Sequence, residues 1–159
     1  MPIIIDGHNL LHSIRKLNED LESISDVQLC QAINRYLKLI GQKGEIIFDG
    51  TGPPDKSGFD NISNLEVLFA GRDTDADTVI EHKIRLNTAP KRLTIVSSDR
   101  RLRKAAQARK ATVLKSEAFW AVLEKQLSRK RLAKEPEEKQ QGLNEGETRL
   151  WMRFFGLEQ

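Results

Sequence analysis

Residues 3–7 read Ile3-Ile4-Ile5-Asp6-Gly7, three β-branched residues followed by a carboxylate and a glycine. Such a run is typical of a buried strand that ends at the aspartate. The pattern returns as Ile46-Ile47-Phe48-Asp49-Gly50, and a further apolar run, residues 93–98, leads into Asp99. Three predicted strands therefore end at or next to an aspartate.

Helical patterns separate these strands. Ser25 and Gln28 form a capping box ahead of an apolar stripe, which predicts a helix over residues 26–40 that ends at Lys43-Gly44. Further helices are expected near residues 9–17, 75–86, 100–109 and 116–129, and further strands at 65–70 and 112–114. Strands that alternate with helices indicate βαβ crossovers. We therefore expect an α/β fold of three layers, α/β/α, whose mostly parallel central sheet has about five strands.

The carboxyl ends of parallel strands lie along one edge of the sheet, where ligands of open α/β sheets bind. Asp6, Asp49 and Asp99 are therefore expected to meet at this edge. A lone aspartate after a strand is usually a turn or capping residue, but several acids that arrive from separate elements need a different explanation.

A second acidic segment, Asp73-Thr74-Asp75-Ala76-Asp77, opens the helix predicted after the third strand. Asp75 is placed to cap that helix. Asp77 lies three residues before Ile80 and is therefore expected on the inward side, where a charge needs a partner or a metal. Crowded carboxylates repel one another unless a cation is present. With oxygen donors only, Mg²⁺ or Mn²⁺ fits better than zinc.

The charges are segregated along the chain. The net charge is only +3, yet residues 100–134 hold 12 basic and two acidic side chains. A basic stretch beside an acidic body favours an anionic partner, nucleic acid first. A solvated helix face is the alternative for any single arginine. The candidate phosphate contacts are Arg100, Arg101, Arg103, Lys104, Arg109, Lys110, Arg129, Lys130 and Arg131.

Phe59 lies in a loop predicted over residues 50–62. An aromatic side chain there is either a platform on which an RNA base stacks or an anchor that packs the loop on the core. His8 is expected to be an exposed loop histidine.

Three motifs together resemble the NYN domains, which are PIN-like metal-dependent ribonucleases. They are the segment of residues 3–10, the Thr74-Asp75-Ala76-Asp77 helix start, and Thr94-Ile95-Val96-Ser97-Ser98-Asp99. The YacP-like bacterial branch, which includes endoribonucleases that act on messenger RNA in association with ribosomes, is the most similar. The resemblance covers roughly residues 1–125.

The resemblance implies the roles of individual residues. Asp6, Asp77 and Asp99 correspond to metal-binding carboxylates, and Asn9 corresponds to an asparagine that supports Asp6 or positions a water. Asp49 and Asp75 are secondary candidates. The implied activity is endonucleolytic hydrolysis of RNA that leaves 5′-phosphate and 3′-hydroxyl ends.

Other classes fit the sequence less well. A receiver-like phosphoacceptor domain would need adjacent acids where Asp6-Gly7 stands, and a dinucleotide-binding domain would need a Gly-x-Gly-x-x-Gly motif. A non-catalytic RNA-binding module with a retained metal site remains an alternative.

The longest apolar run, residues 119–123, is far below the roughly 18 residues of a membrane span. Cys30 is the only cysteine and is expected to be a core thiol, so we expect a cytoplasmic protein without a membrane partner.

Composition changes after the last predicted helix. Residues 130–146 are polar and charged, which predicts a flexible linker. Residues 147–159 regain apolar character through Leu150, Trp151, Phe154 and Phe155, the pattern of an amphipathic helix. We expect a nuclease domain over residues 1–129, followed by a linker and a helix that either docks on the domain or binds a protein partner.

Overall fold

The computed structural model of the chain describes residues 2–17, 24–60 and 62–134. These ranges contain five strands and five α-helices, and single 3₁₀ turns at Ser57–Phe59 and Pro90–Arg92. The strands are β1 Ile3–Asp6, β2 Gly44–Phe48, β3 Leu65–Phe69, β4 Thr94–Val96 and β5 Thr112–Leu114. The helices are α1 Gly7–Leu17, α2 Asp26–Ile40, α3 Ala76–Leu86, α4 Arg100–Ala108 and α5 Ser116–Lys134.

The sheet is parallel throughout, in the order β3-β2-β1-β4-β5. Ile5 in the central strand pairs with Ile46 on one side and with Val96 on the other. The chain first moves outward from β1 to β3 and then crosses back to β4. The strand order therefore reverses between β1 and β4, and ligands of open sheets bind beside the carboxyl ends at such a point.

Helices cover both faces of the sheet. Ile3 and Ile5 pack with residues of α1, α2 and α5 on one face, and Ile4 packs with residues of α3 and α4 on the other. All four residues of β1 are buried, as expected for a parallel sheet that is covered on both sides. The predicted three-layer α/β/α fold is confirmed.

Several boundaries differ from the predictions. Helix α1 begins at Gly7, two residues earlier than expected, and a Cβ at Gly7 would lie only 2.5 Å from the Phe48 ring. Helix α2 spans Asp26–Ile40 as predicted, but the residue that caps it is Gly41 in a left-handed conformation (φ 67°) and not Lys43-Gly44. Helix α5 continues to Lys134, so the first five residues of the predicted linker are helical.

The C-terminal predictions concern residues that mostly lie outside the described part of the chain. The rest of the predicted linker and the amphipathic helix over residues 147–159 belong to the undescribed residues. No helix of the described ranges combines the length and apolar character that a membrane crossing requires. Cys30 is buried as a free thiol, as predicted.

Candidate metal centre and nucleic-acid interface

Asp6 ends β1 at the point where the strand order reverses, and its side chain is only 5% exposed. The hydroxyl of Ser97 donates to Asp6 Oδ2 (3.1 Å) and accepts the backbone N–H of Asp99 (3.0 Å). A single buried hydroxyl thus joins the end of β1 to the segment after β4. This use of residues 97–99 is why β4 is shorter than the predicted strand.

Asp77 approaches the same edge from α3. Its side chain is half-buried, and the predicted inward position is therefore only partly met. Burial and the neighbouring carboxylates Asp99 and Asp75 raise the pKa of Asp77. Burial, followed by the charge of Asp77, raises the pKa of Asp6 to about 6. These acids lie close enough to penalise one another's ionised forms, as expected for carboxylates without a counter-ion.

Asp49, the secondary candidate at the end of β2, holds the start of α3 in place. Its Oδ1 accepts the backbone N–H of Ala76 at 2.7 Å, next to Asp77. His8 packs its ring edge on Phe48 (5.3 Å between centroids) and places Nδ1 3.2 Å from the backbone nitrogen of Asp49. His8 is exposed as predicted, but it lies in the first turn of α1 and not in a loop.

Two of the candidate acids cap helices. Asp99 is the N-cap of α4 and accepts the backbone N–H of Arg101 (2.8 Å) through Oδ1. Asp75 is the N-cap of α3 and accepts the backbone N–H of Thr78 at 2.8 Å. Hydrogen bonds with the side chain and the backbone of Thr78 lower the pKa of Asp75. Carboxylates are favoured at helix N-termini. The capping alternative therefore holds for both, and in each case it leaves the second carboxylate oxygen for another role.

The donor set suits a hard divalent cation. Asp6, Asp49, Asp77 and Asp99 supply oxygen atoms only, and mutual repulsion favours a bound positive charge. Among the described residues, however, no three His, Cys, Asp or Glu side chains already form a group that could hold an ion. The residues therefore fit Mg²⁺ or Mn²⁺ through the chemistry of their oxygen donors.

Asn9 acts differently from the expectation that its side chain supports Asp6. Its Oδ1 accepts the backbone N–H of Ser98 (2.9 Å) and the hydroxyl of Ser116 (2.6 Å). The side chain therefore ties α1 to the segment after β4 and to the start of α5. Only the backbone of Asn9 hydrogen-bonds to Asp6.

A further carboxylate at this edge, Glu117, was missed in the sequence. Its two oxygens accept the hydroxyls of Ser98 (3.0 Å) and Ser13 (3.2 Å). Its own helix-terminal backbone and these hydroxyls lower the pKa of Glu117. The available signal was its position, since Ser116-Glu117 follows β5 just as the other acids follow their strands.

The predicted basic contacts divide into groups. Arg100, Arg101 and Lys104 line a shallow groove of about 620 Å³ together with Glu81 and Ala105. Arg101 is ion-paired with Glu81. Arg109 donates to the backbone carbonyl of Asn87 (2.6 Å), at the end of α3. The groove that follows Asp99 is therefore one part of the predicted track that the fold leaves open.

The remaining candidates lie elsewhere. Arg103 is partly buried, and its Nε has no hydrogen-bond partner among the described residues. Lys110 is exposed after α4 with φ 64°. Arg129 is exposed in α5, and Lys130 and Arg131 follow it in the same helix.

Phe59 packs on the core from its 3₁₀ turn. It is partly buried, and its ring makes an edge-to-face contact with Phe69 (5.7 Å between centroids). This packing favours the loop-anchor alternative over the base-stacking platform.

The three layers and the five-stranded parallel sheet match a PIN-like α/β fold. A family model of the YacP-like NYN domain matches residues 3–152, and the chain therefore belongs to the YacP-like NYN family, a ribonuclease-type family. The match extends beyond the expected limit near residue 125 and includes most of the C-terminal segment.

Two solved structures are similar in fold. One is Rae1 (YacP) from Bacillus subtilis, with a TM-score of 0.64 and 21% identity over 97% of this chain and 94% of that chain. The other is a tryptophan-to-leucine mutant of the same protein, with a TM-score of 0.64 and 20% identity over 93% and 92% of the two chains. A search of curated protein sequences found no match.

Proposed function

We propose that this protein is a metal-dependent endoribonuclease that hydrolyses RNA phosphodiester bonds. The observation that carries the proposal is the convergence of carboxylates from separate elements where the strand order reverses. Burial and the charge of Asp77 raise the pKa of Asp6, and burial and the charges of Asp99 and Asp75 raise the pKa of Asp77. Perturbed carboxylates at such a position are typical of functional sites. Membership of a ribonuclease-type family supports RNA as the substrate.

Asp6, Asp77 and Asp99 would hold one or two Mg²⁺ or Mn²⁺ ions, with Asp49 and Asp75 as secondary ligands. When bound, such ions supply a water of lowered pKa and positive charge opposite the phosphodiester. Ser97 orients Asp6 through its hydroxyl and fixes the backbone at Asp99. Asp49 fixes the start of α3 and hence the position of Asp77.

The groove lined by Arg100, Arg101 and Lys104 would contact the phosphates of the substrate. It begins one residue after Asp99, so an RNA strand bound there would pass directly by the acidic edge. Messenger RNA on or near the ribosome is the first substrate to test, because the YacP-like resemblance implies it.

Incubation of purified protein with total RNA in Mn²⁺, followed by mapping of new 5′ ends, tests the proposal. Wild type should produce discrete 5′-phosphate ends, and both EDTA and Asp99→Asn should abolish them. Asparagine caps helices as well as aspartate does, so Asp99→Asn should retain the fold and most RNA binding. Glu66→Gln, an exposed carboxylate of β3, is the matched control and should cleave like wild type. Equal cleavage by Asp99→Asn would contradict the proposed site.

A non-catalytic RNA-binding module is the second candidate. The helix-capping roles of Asp75 and Asp99, and the lack of a ready ion-binding trio among the described residues, favour it. This function predicts RNA binding by wild type with no new 5′ ends in Mn²⁺ or Mg²⁺.

A further inference from the structure

Arg101 of α4 and Glu81 of α3 form an ion pair, and both side chains line the groove described above. Oε2 of Glu81 lies 2.6 Å from both Nε and Nη2 of Arg101. Thr78 Oγ1 lies 3.5 Å from the same Nη2. The contacts of the described residues thus engage one edge of the guanidinium, and its Nη1 receives none from them. About half of the Arg101 side chain is exposed.

This guanidinium is placed beside the acidic edge. The backbone N–H of Arg101 is the group that Asp99 caps. The positive charge of Arg101 lowers the pKa of Asp75 and opposes the rise in the pKa of Asp77. The side chain therefore lies near these carboxylates and lines the groove together with Arg100 and Lys104.

The position of Glu81, an acid in a basic groove, requires an explanation. A negative charge inside a groove that binds phosphates weakens binding through repulsion, and an exposed ion pair adds little to folding stability. A fixed guanidinium, by contrast, loses less conformational freedom when it binds and presents its donors in a planar fork that matches a phosphate.

We propose that Glu81 is a positioning residue that holds Arg101 so that its outward Nη1 edge binds an RNA phosphate next to the carboxylates. The inference rests on the proposed RNA substrate and adds a residue that orients one phosphate contact beside the site. Arg101 touches the substrate, and Glu81 acts through Arg101.

The role of Glu81 can be tested without cleavage by measuring the binding of a fluorescent single-stranded RNA. Fluorescence anisotropy in EDTA, at several NaCl concentrations, gives the affinity. If Glu81 acted on RNA only through its negative charge, its removal would strengthen RNA binding. As a positioning residue, its replacement in Glu81→Ala should weaken binding between about twofold and tenfold, the effect of releasing one ordered side chain. Glu81→Gln keeps an acceptor for Arg101 Nε and should bind at least as tightly as wild type.

Two further variants identify the route of the effect. Arg101→Ala should reduce the slope of log affinity against log salt by about 0.7, the loss of one phosphate contact on a single strand. The double variant Glu81→Ala/Arg101→Ala should bind no more weakly than Arg101→Ala. Glu45→Ala is the matched control, because Glu45 pairs with Lys83 (3.2 Å) on the same helix away from the groove, and it should bind RNA like wild type.

The possible failures are distinguishable. Tighter or unchanged binding by a folded Glu81→Ala, or a further loss in the double variant, overturns the role of Glu81 while RNA binding by wild type stands. If Glu81→Ala does not fold, weaker binding by Glu81→Gln than by wild type overturns it. Absence of RNA binding by wild type overturns this inference and the proposed function together.

Discussion

Two groups of carboxylates at the same sheet edge have pKa values that are shifted in opposite directions. On the α3 side, Asp6 is buried and accepts the Ser97 hydroxyl, yet burial and the charge of Asp77 raise its pKa to about 6. On the α5 side, Glu117 is exposed, accepts two serine hydroxyls, and has a lowered pKa.

The contrast separates an acid stabilised by hydrogen bonds from acids destabilised by burial and by neighbouring charge. Glu117, Asn9 and the serines around them satisfy one another and join α1 to α5. Burial and neighbouring charges raise the pKa values of Asp6 and Asp77, so ionisation of these acids lowers folding stability. Such a cost is typical of functional sites. Charge crowding, rather than the mere presence of an acid, therefore marks the candidate centre.

The largest expected effect is on catalysis. Asp77→Asn should lower metal-dependent RNA cleavage at least about a hundredfold, because an uncharged amide is a poor ligand for a hard cation. Initial rates on a defined RNA in Mn²⁺ measure this. Glu117→Gln is the matched variant from the other group and should cleave at a rate close to that of wild type. A similar loss in both variants would erase the distinction.

The next effect is a gain in stability. In the folded state the pKa of Asp6 is about 6, against 3.8 for an ordinary aspartate, so ionisation costs more in the folded than in the unfolded protein. Stability should therefore fall as pH rises from about 4 to about 6, and Asp6→Asn should remove this loss. The gain is at most about 3 kcal/mol above pH 7 and small near pH 4.

Thermal unfolding of wild type and Asp6→Asn without metal, at pH 4 and pH 7.5, measures this gain. Added Mn²⁺ should narrow the gap at pH 7.5 by stabilising wild type alone. An Asp6→Asn protein that is less stable than wild type at pH 7.5 in EDTA would contradict the proposed crowding.

A loss of stability is expected on the α5 side. Asn9→Ala leaves the Ser98 N–H and the Ser116 hydroxyl without their acceptor and should lower the free energy of unfolding by about 1–3 kcal/mol. Urea unfolding at pH 7.5 measures this change. An unchanged midpoint would show that the Asn9 contacts do not stabilise the fold.

The smallest effect is expected for Glu117→Gln, less than about 1 kcal/mol at pH 7, because the carboxylate is exposed and screened. A lowered pKa means that its contribution is present at neutral pH and is lost as the pH falls below the ordinary range of a glutamate. Its pH dependence is therefore opposite in sign to that of Asp6. Unfolding at pH 3 and pH 7 should show the variant and wild type converging at the lower pH.

Local patterns were enough to predict the fold. The run Ile3-Ile4-Ile5 is buried on both faces, and the capping box at Ser25 starts α2 at Asp26 as predicted. These features depend on residues within one or two turns of each other. The start of α1 at Gly7 was missed, and so was the approach of the distant Phe48 ring, which leaves no room for a Cβ at Gly7.

The candidate site was predictable in position but not in its contacts. The rule that parallel strands end at one edge brought Asp6, Asp49 and Asp99 together, and their catalytic roles stay predictions. The partners of Asn9 lie 89 and 107 residues away, and the Glu81 partner of Arg101 lies 20 residues away on another helix. Contacts across such separations follow from packing, which no local pattern contains.

Calorimetric titration of the metal-free protein with Mn²⁺ tests the central claim that the crowded carboxylates form a cation site. Wild type and Glu117→Gln should bind Mn²⁺ with similar affinity, and Asp6→Asn and Asp77→Asn should bind it far more weakly. Equal Mn²⁺ binding by all four proteins, or no binding by wild type, would contradict the account.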